Sequence, residues 1–286
     1  MPVAIPPSSL FLRLGMFLVP LITFSLGWGA SAFQALEILS SGLPPENPVW
    51  TNSWEQLYPH TAGSIAILII CATGFTMYGA HQRKTFLETT SDIGFSLVGK
   101  DNVKMFLLSF SGWYVSFLVG LWIAHLLTSY FPRYNVNTES VPAENSIPLF
   151  LSAIQAGPTE ELALVPLFLL LMPAALPQRC RKWGLGIAIA LAIVARVSFH
   201  LYYGPSSFVQ HSIWAAGVII TWLITRNILG LVLAHSCSNG LIALAVDPSF
   251  SWLQWVQFTV FGICLAVLAF ASLASFLRTR QPVSRG

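Results

Sequence analysis

Apolar runs of about twenty residues recur along this chain of 286 residues, and a helix of that length is what crosses the hydrocarbon core of a bilayer. Eight such runs can be read, at about 12–34, 62–80, 105–130, 147–173, 184–203, 207–225, 227–246 and 251–277. Between them lie turn-forming stretches such as Gly42–Pro48, Pro132-Arg133, Pro177–Lys182 and Gly204-Pro205. Only 9% of the residues are charged, against about a quarter in a soluble domain. The expected fold is all-α, a polytopic integral membrane bundle of about eight transmembrane helices forming one membrane domain over 1–286. No stretch is polar enough for a separate soluble domain, and no internal repeat is present. The formal net charge of +3 is too small to argue for nucleic acid as a partner. The expected partner is the lipid bilayer.

The placement of basic residues orients the bundle. With sides alternating from the N-terminus, one side receives 12 of the 14 lysines and arginines. These are Arg13, Arg83, Lys84, Lys100, Lys104, Arg179, Arg181, Lys182, Arg226, Arg278, Arg280 and Arg285. The other side receives Arg133 with Glu37, Glu46, Glu55, Glu139, Glu144 and Asp247. The basic side is expected to be cytoplasmic, with both termini inside. Arg13, the apolar run and Ala30-Ser31-Ala32 also resemble a secretory signal with its cleavage site, although retaining the segment gives a consistent topology. Trp50, Trp54 and Tyr58 read as outer interfacial anchors. The loop from His81 to Lys104 reads either as an amphipathic segment on the inner leaflet or as a plain solvated loop. Cys71, Cys180, Cys237 and Cys264 offer no pairing pattern and read as inert thiols.

Three charges fall inside the apolar runs: Glu160 and Glu161 in the fourth and Arg196 in the fifth. A charge at mid-bilayer costs about 2.5–3.5 kcal/mol on insertion scales, so each is a functional candidate or half of a buried pair. His200 stands one turn after Arg196, on the same helix face. His235 and Asn239 stand in the same relation on the seventh segment. Glu160 and Glu161 point about 100° apart, so at most one can face a given catalytic water squarely. Gly157-Pro158-Thr159 is expected to loosen the fourth helix and open space for water. His125 and His211 read as satisfied core histidines, and His60 and His81 as loop residues without a signal. One glutamate with two histidines suits a divalent metal such as zinc, but the HExxH spacing is absent. No phosphate-binding glycine loop or serine elbow is present.

These residues resemble the motifs of the CAAX protease and bacteriocin-processing family, intramembrane endopeptidases that include the type II CAAX prenyl endopeptidases. The family pattern EExxxR is matched in its glutamates by Glu160-Glu161, FxxxH in its histidine by His200, and HxxxN fully by His235 and Asn239. The resemblance covers about residues 147–246, leaving 1–146 as helices of unclear role and 247–286 as a final helix and basic tail. It implies an integral, multi-pass protein of a bacterial plasma membrane that hydrolyses a peptide bond of a peptide or protein substrate. Glu160 would act as general base, His200 would lie beside the attacked water, and His235 with Asn239 would stabilise the oxyanion. If a metal takes part, Glu160, His200 and His235 would be its ligands; a metal-free glutamate mechanism is the alternative.

Two positions depart from the family pattern. Val165 stands where the family has arginine, and Arg196 where it has phenylalanine. Both lie one turn from a site residue, so Arg196 is expected to supply, from the neighbouring helix, the positive charge that Val165 lacks, and to pair with Glu161. The alternatives are a catalytically inactive member serving as a membrane scaffold, and a proton-coupled transporter that uses the glutamate–histidine cluster as a relay.

Overall fold

The computed structural model describes residues 10–41, 53–95, 99–131, 146–245 and 247–279, which form α-helices and no strand. The helices are α1 (Leu10–Ser41), α2 (Trp54–Gln82), α3 (Phe86–Asp92), α4 (Lys100–Leu126), α5 (Ser146–Leu164), α6 (Pro166–Ala175), α7 (Arg181–Ser198), α8 (Ser206–Thr225), α9 (Ile228–Ala245) and α10 (Leu253–Thr279). Seven segments are long and apolar enough to cross a membrane: α1, α2, α4, α5 with α6, α8, α9 and α10. The expected run at 184–203 forms α7, which is not one of the seven. Its 18 residues open on Arg181-Lys182 and carry Arg196 near the far end.

The bundle is built around the α5–α6 segment, the most deeply buried of the seven. α9 packs along α5, α4 along α8, and α1 and α2 close the opposite flank. Without a hydrophobic drive between helices in lipid, close association rests on packing that small residues permit. At Gly120 of α4 a Cβ would lie 2.5 Å from the Gln210 carbonyl oxygen of α8, so only glycine allows that approach. The outer helices turn large apolar side chains outward, among them Phe11 at 85% and Phe270 at 75% exposure. That surface suits lipid and would be a liability in water.

Several boundaries differ from expectation. α2 begins at Trp54 and runs through Gln82, so His60 and His81 are helical, and His81 is buried. Pro59, the sixth residue of α2, withholds the N–H that the Glu55 carbonyl would otherwise accept. His125 is exposed in the last turn of α4 rather than in the core, while His211 is buried, its Nδ1 donating to the Ser207 carbonyl at 2.8 Å. Of the expected interfacial anchors, Trp54 starts α2, Tyr58 is exposed, and Trp50 lies outside the described residues.

The loop between α2 and α4 is neither free in solvent nor uniform. Thr85 and Glu88 form a capping box that starts α3. The hydrogen bonds from Thr85 hold the exposed Glu88 carboxyl below its ordinary range. Ile93 is fully buried, and its carbonyl accepts from Ile228 N–H at 3.0 Å and Trp222 Nε1 at 3.3 Å. The loop is thereby docked on the α8–α9 junction.

Candidate active site

The α5–α6 segment breaks within a turn of its two glutamates. Pro166 disfavours helical geometry at the residue before it, and Val165 takes φ −108°, ψ −84°. The break falls there and not at Gly157-Pro158, through which α5 runs unbroken. Pro158 has no N–H for the Ile154 carbonyl, yet that oxygen is satisfied from α9 by Ser236 Oγ at 2.7 Å. Gly157 permits the contact: a Cβ there would lie 2.1 Å from Ser236 Oγ and 2.5 Å from the Val232 carbonyl oxygen. The expected loosening is therefore corrected. Gly157 and Pro158 bind α5 tightly to α9, and this brings His235 against Glu161.

Glu161 is the hub of the cluster and is fully buried. Its Oε1 accepts from His235 Nδ1 at 2.8 Å and from Trp113 Nε1 of α4 at 2.9 Å. Its Oε2 lies 3.0 Å from Arg196 Nη2 of α7. The expected Arg196–Glu161 pair is thus present, joining α5 and α7. Charge proximity holds it, since the guanidinium N–H groups make no well-aligned hydrogen bond. The cation also faces the Trp214 ring of α8, with its central carbon 4.5 Å from the ring centroid. That contact helps to stabilise a desolvated guanidinium.

Since a carboxylate only accepts, Glu161 fixes a proton on His235 Nδ1. Trp113 and Trp214 flank the same imidazole, at centroid distances of 5.1 and 5.2 Å. His200 lies just beyond the end of α7, which stops at Ser198 rather than reaching 203. Its Nδ1 donates back to the Arg196 carbonyl at 2.7 Å. The ring stacks on His211 at 4.0 Å and meets Trp214 edge-on at 5.8 Å. Trp214 is therefore the common wall between Arg196, His200, His211 and His235.

The remaining two expected residues are placed less tightly. Glu160 is 7% exposed, and its Oε2 makes no hydrogen bond. Asn239 is half-buried on α9, one turn beyond His235. Among the described residues no three His, Cys, Asp or Glu side chains come together as a metal site requires. Glu160, His200 and His235 do not fit a zinc centre in this arrangement, and His235 spends one ring nitrogen on Glu161.

Trp113 and Trp214 join the cluster without having been singled out in the sequence, and so does His211, which reads there as a core histidine and is buried. An indole or imidazole in an apolar run reads as core, and only the partner helix reveals its role.

Comparison with family models, curated proteins and solved structures found no match to this chain. The fold defines a class, a membrane-embedded multi-pass helical protein.

Proposed function

We propose that this protein is an intramembrane endopeptidase of the kind its Glu160-Glu161, His200 and His235/Asn239 motifs resemble. The observation that carries this reading is Glu160. A buried carboxylate oxygen without a hydrogen-bond partner calls for an explanation. Placement of a water for attack on a peptide carbonyl supplies one. Glu161, hydrogen-bonded through Oε1 and paired with Arg196 through Oε2, is unsuited to that task. Glu161 instead orients His235, which with a second proton on Nε2 would donate to the developing oxyanion together with Asn239. Arg196 balances the Glu161 charge, and Trp113 and Trp214 keep the surroundings dry enough for these dipoles to act strongly. His200 would lie beside the attacked water.

On this reading residues 147–246 form the catalytic core, and α7 is the eighth crossing. Its 18 residues rise about 27 Å, close to the hydrocarbon thickness. Arg181 and Lys182 sit at one end and Arg196 is neutralised by Glu161. Both termini would then lie on the basic, cytoplasmic side of a bacterial plasma membrane. A membrane scaffold of the same fold is the second reading, favoured by the Arg196–Glu161–His235 pairing, which a purely structural cluster would also show. A peptide-library digestion by the purified protein separates the two. The expected result is a reproducible set of cleaved products with wild type and none with Glu160→Gln; no product from either supports the scaffold.

A further inference from the structure

Among the described residues three tryptophans are fully buried: Trp113, Trp214 and Trp222. An indole offers one N–H and no acceptor, so each burial calls for an acceptor close by. Trp113 gives its N–H to Glu161 at 2.9 Å, and Trp222 gives its own to the Ile93 carbonyl at 3.3 Å. Trp214 of α8 is the exception: its Nε1 is buried without a hydrogen-bond partner among the described residues. Trp113 and Phe117 of α4 enclose its ring at centroid distances of 5.2 and 5.4 Å, and His235 of α9 does so at 5.2 Å. His211 and His200 stand at 5.7 and 5.8 Å. The Arg196 guanidinium over the ring is a donor only, and its Nε and Nη1 are likewise buried without hydrogen-bond partners. The Nδ1 atoms of His235, His211 and His200 are committed to Glu161 and to the Ser207 and Arg196 carbonyls. What this surrounding lacks is an acceptor oxygen. Glu161 already balances the charge of Arg196, so a neutral oxygen fits better than a second buried anion.

We propose that Trp214 is a substrate-binding residue, donating its indole N–H to a backbone carbonyl oxygen of the bound peptide outside the scissile bond. The assignment rests on the endopeptidase reading. That reading puts His235 at the scissile carbonyl and His200 beside the attacked water, and the Trp214 ring meets both imidazoles. A chain held for reaction between them passes this indole. His235 and Asn239 take the scissile oxygen, which leaves a neighbouring peptide unit for Trp214. A peptide carbonyl that enters the bundle gives up its water and needs a donor in return. The indole N–H supplies that donor and fixes the register of the chain. Because the bonded carbonyl does not react, the contact is the same in the ground and transition states, and it acts on KM rather than on kcat. Trp214 thereby differs from Trp113, whose N–H is spent on holding Glu161.

Replacing Trp214 by 3-benzothienylalanine at a suppressed stop codon tests this, since sulfur takes the place of the N–H and the ring keeps its shape. Turnover of a peptide found by library digestion is measured for wild type and this isostere in the same lipid, with thermal midpoints alongside. KM is expected to rise about ten-fold, the worth of one buried hydrogen bond, with kcat and the midpoint nearly unchanged. An unchanged KM would show that the N–H meets only an ordered water, and would overturn the assignment while leaving the endopeptidase reading intact. A loss confined to kcat, or one that follows a lowered midpoint, would make Trp214 a packing residue and overturn it too. Should the isostere fail to fold, wild type decides with peptides that carry a thioamide at each position in turn. One thioamide outside the scissile bond should then raise KM several-fold, and no effect at any such position would overturn the assignment. Absence of cleavage of every peptide by wild type contradicts the endopeptidase reading itself, and the assignment with it.

Discussion

Glu160 and Glu161 are adjacent in the chain and opposite in setting. Glu161 has Arg196, His235 and Trp113 on its two oxygens, while Glu160 keeps a buried oxygen without a partner. Removing one member of a buried ion pair strands the other, so Arg196→Leu should destabilise the protein by about 3–5 kcal/mol. Adding Glu161→Gln to that variant removes the stranded charge while keeping an acceptor for Trp113 and His235. It should therefore recover a substantial part of the loss. Unfolding of both single variants and the double variant in a mutant cycle measures this, and simple additivity would show that the two residues do not interact. Much of the pairing was legible in the sequence, because a charge in an apolar run needs a partner and Val165 could not be one. The tryptophans were not legible. Trp113 donates across 48 positions of sequence, and nothing in its own run distinguishes it from core.

The helix that carries both glutamates is shaped by two prolines with different consequences. Pro166 breaks it, because it drives Val165 before it out of helical geometry; Pro158 leaves it intact, because Ser236 satisfies the carbonyl it frees. The sequence shows both prolines alike, and the distinction rests on a side chain 78 positions beyond Pro158 whose arrival depends on how the helices pack. Gly157→Ala is expected to cost about 1–3 kcal/mol through overpacking at the α5–α9 contact. Because that contact sets the distance from His235 to Glu161, it should also reduce any hydrolytic activity more than Ser236→Ala, which forfeits one hydrogen bond worth about 1 kcal/mol. Thermal unfolding together with turnover of the same two variants checks the order; equal activity in both would detach the site from this packing. The length of α7 was also misjudged from sequence. Leu201, Tyr202 and Tyr203 continue its apolar character, but Gly204, at φ +94°, ends a short 3-10 turn instead.

At the scale of the whole molecule, the all-helical membrane class was legible from apolar run length alone, whereas the number of crossings turns on α7. If α7 crosses, Arg83 and Arg278 lie on one side of the membrane, with Phe131 and Asp247 on the other. Alkaline phosphatase fusions at these four positions should then be silent at the first two and active at the last two. Opposite readings at Arg83 and Arg278 would mean that α7 does not cross. The bundle buries Glu160, one of its oxygens without a hydrogen-bond partner, next in the chain to the carboxylate that orients His235, and the proposed chemistry depends on Glu160. The decisive measurement is the turnover of a peptide found by library digestion, for wild type and Glu160→Gln in the same lipid, with thermal midpoints recorded alongside. A general base contributes about 10²–10⁴-fold to the rate, so the expected result is a loss of that size with the midpoint nearly unchanged. Retention of more than about half of the wild-type turnover would contradict the assignment of Glu160 as that base.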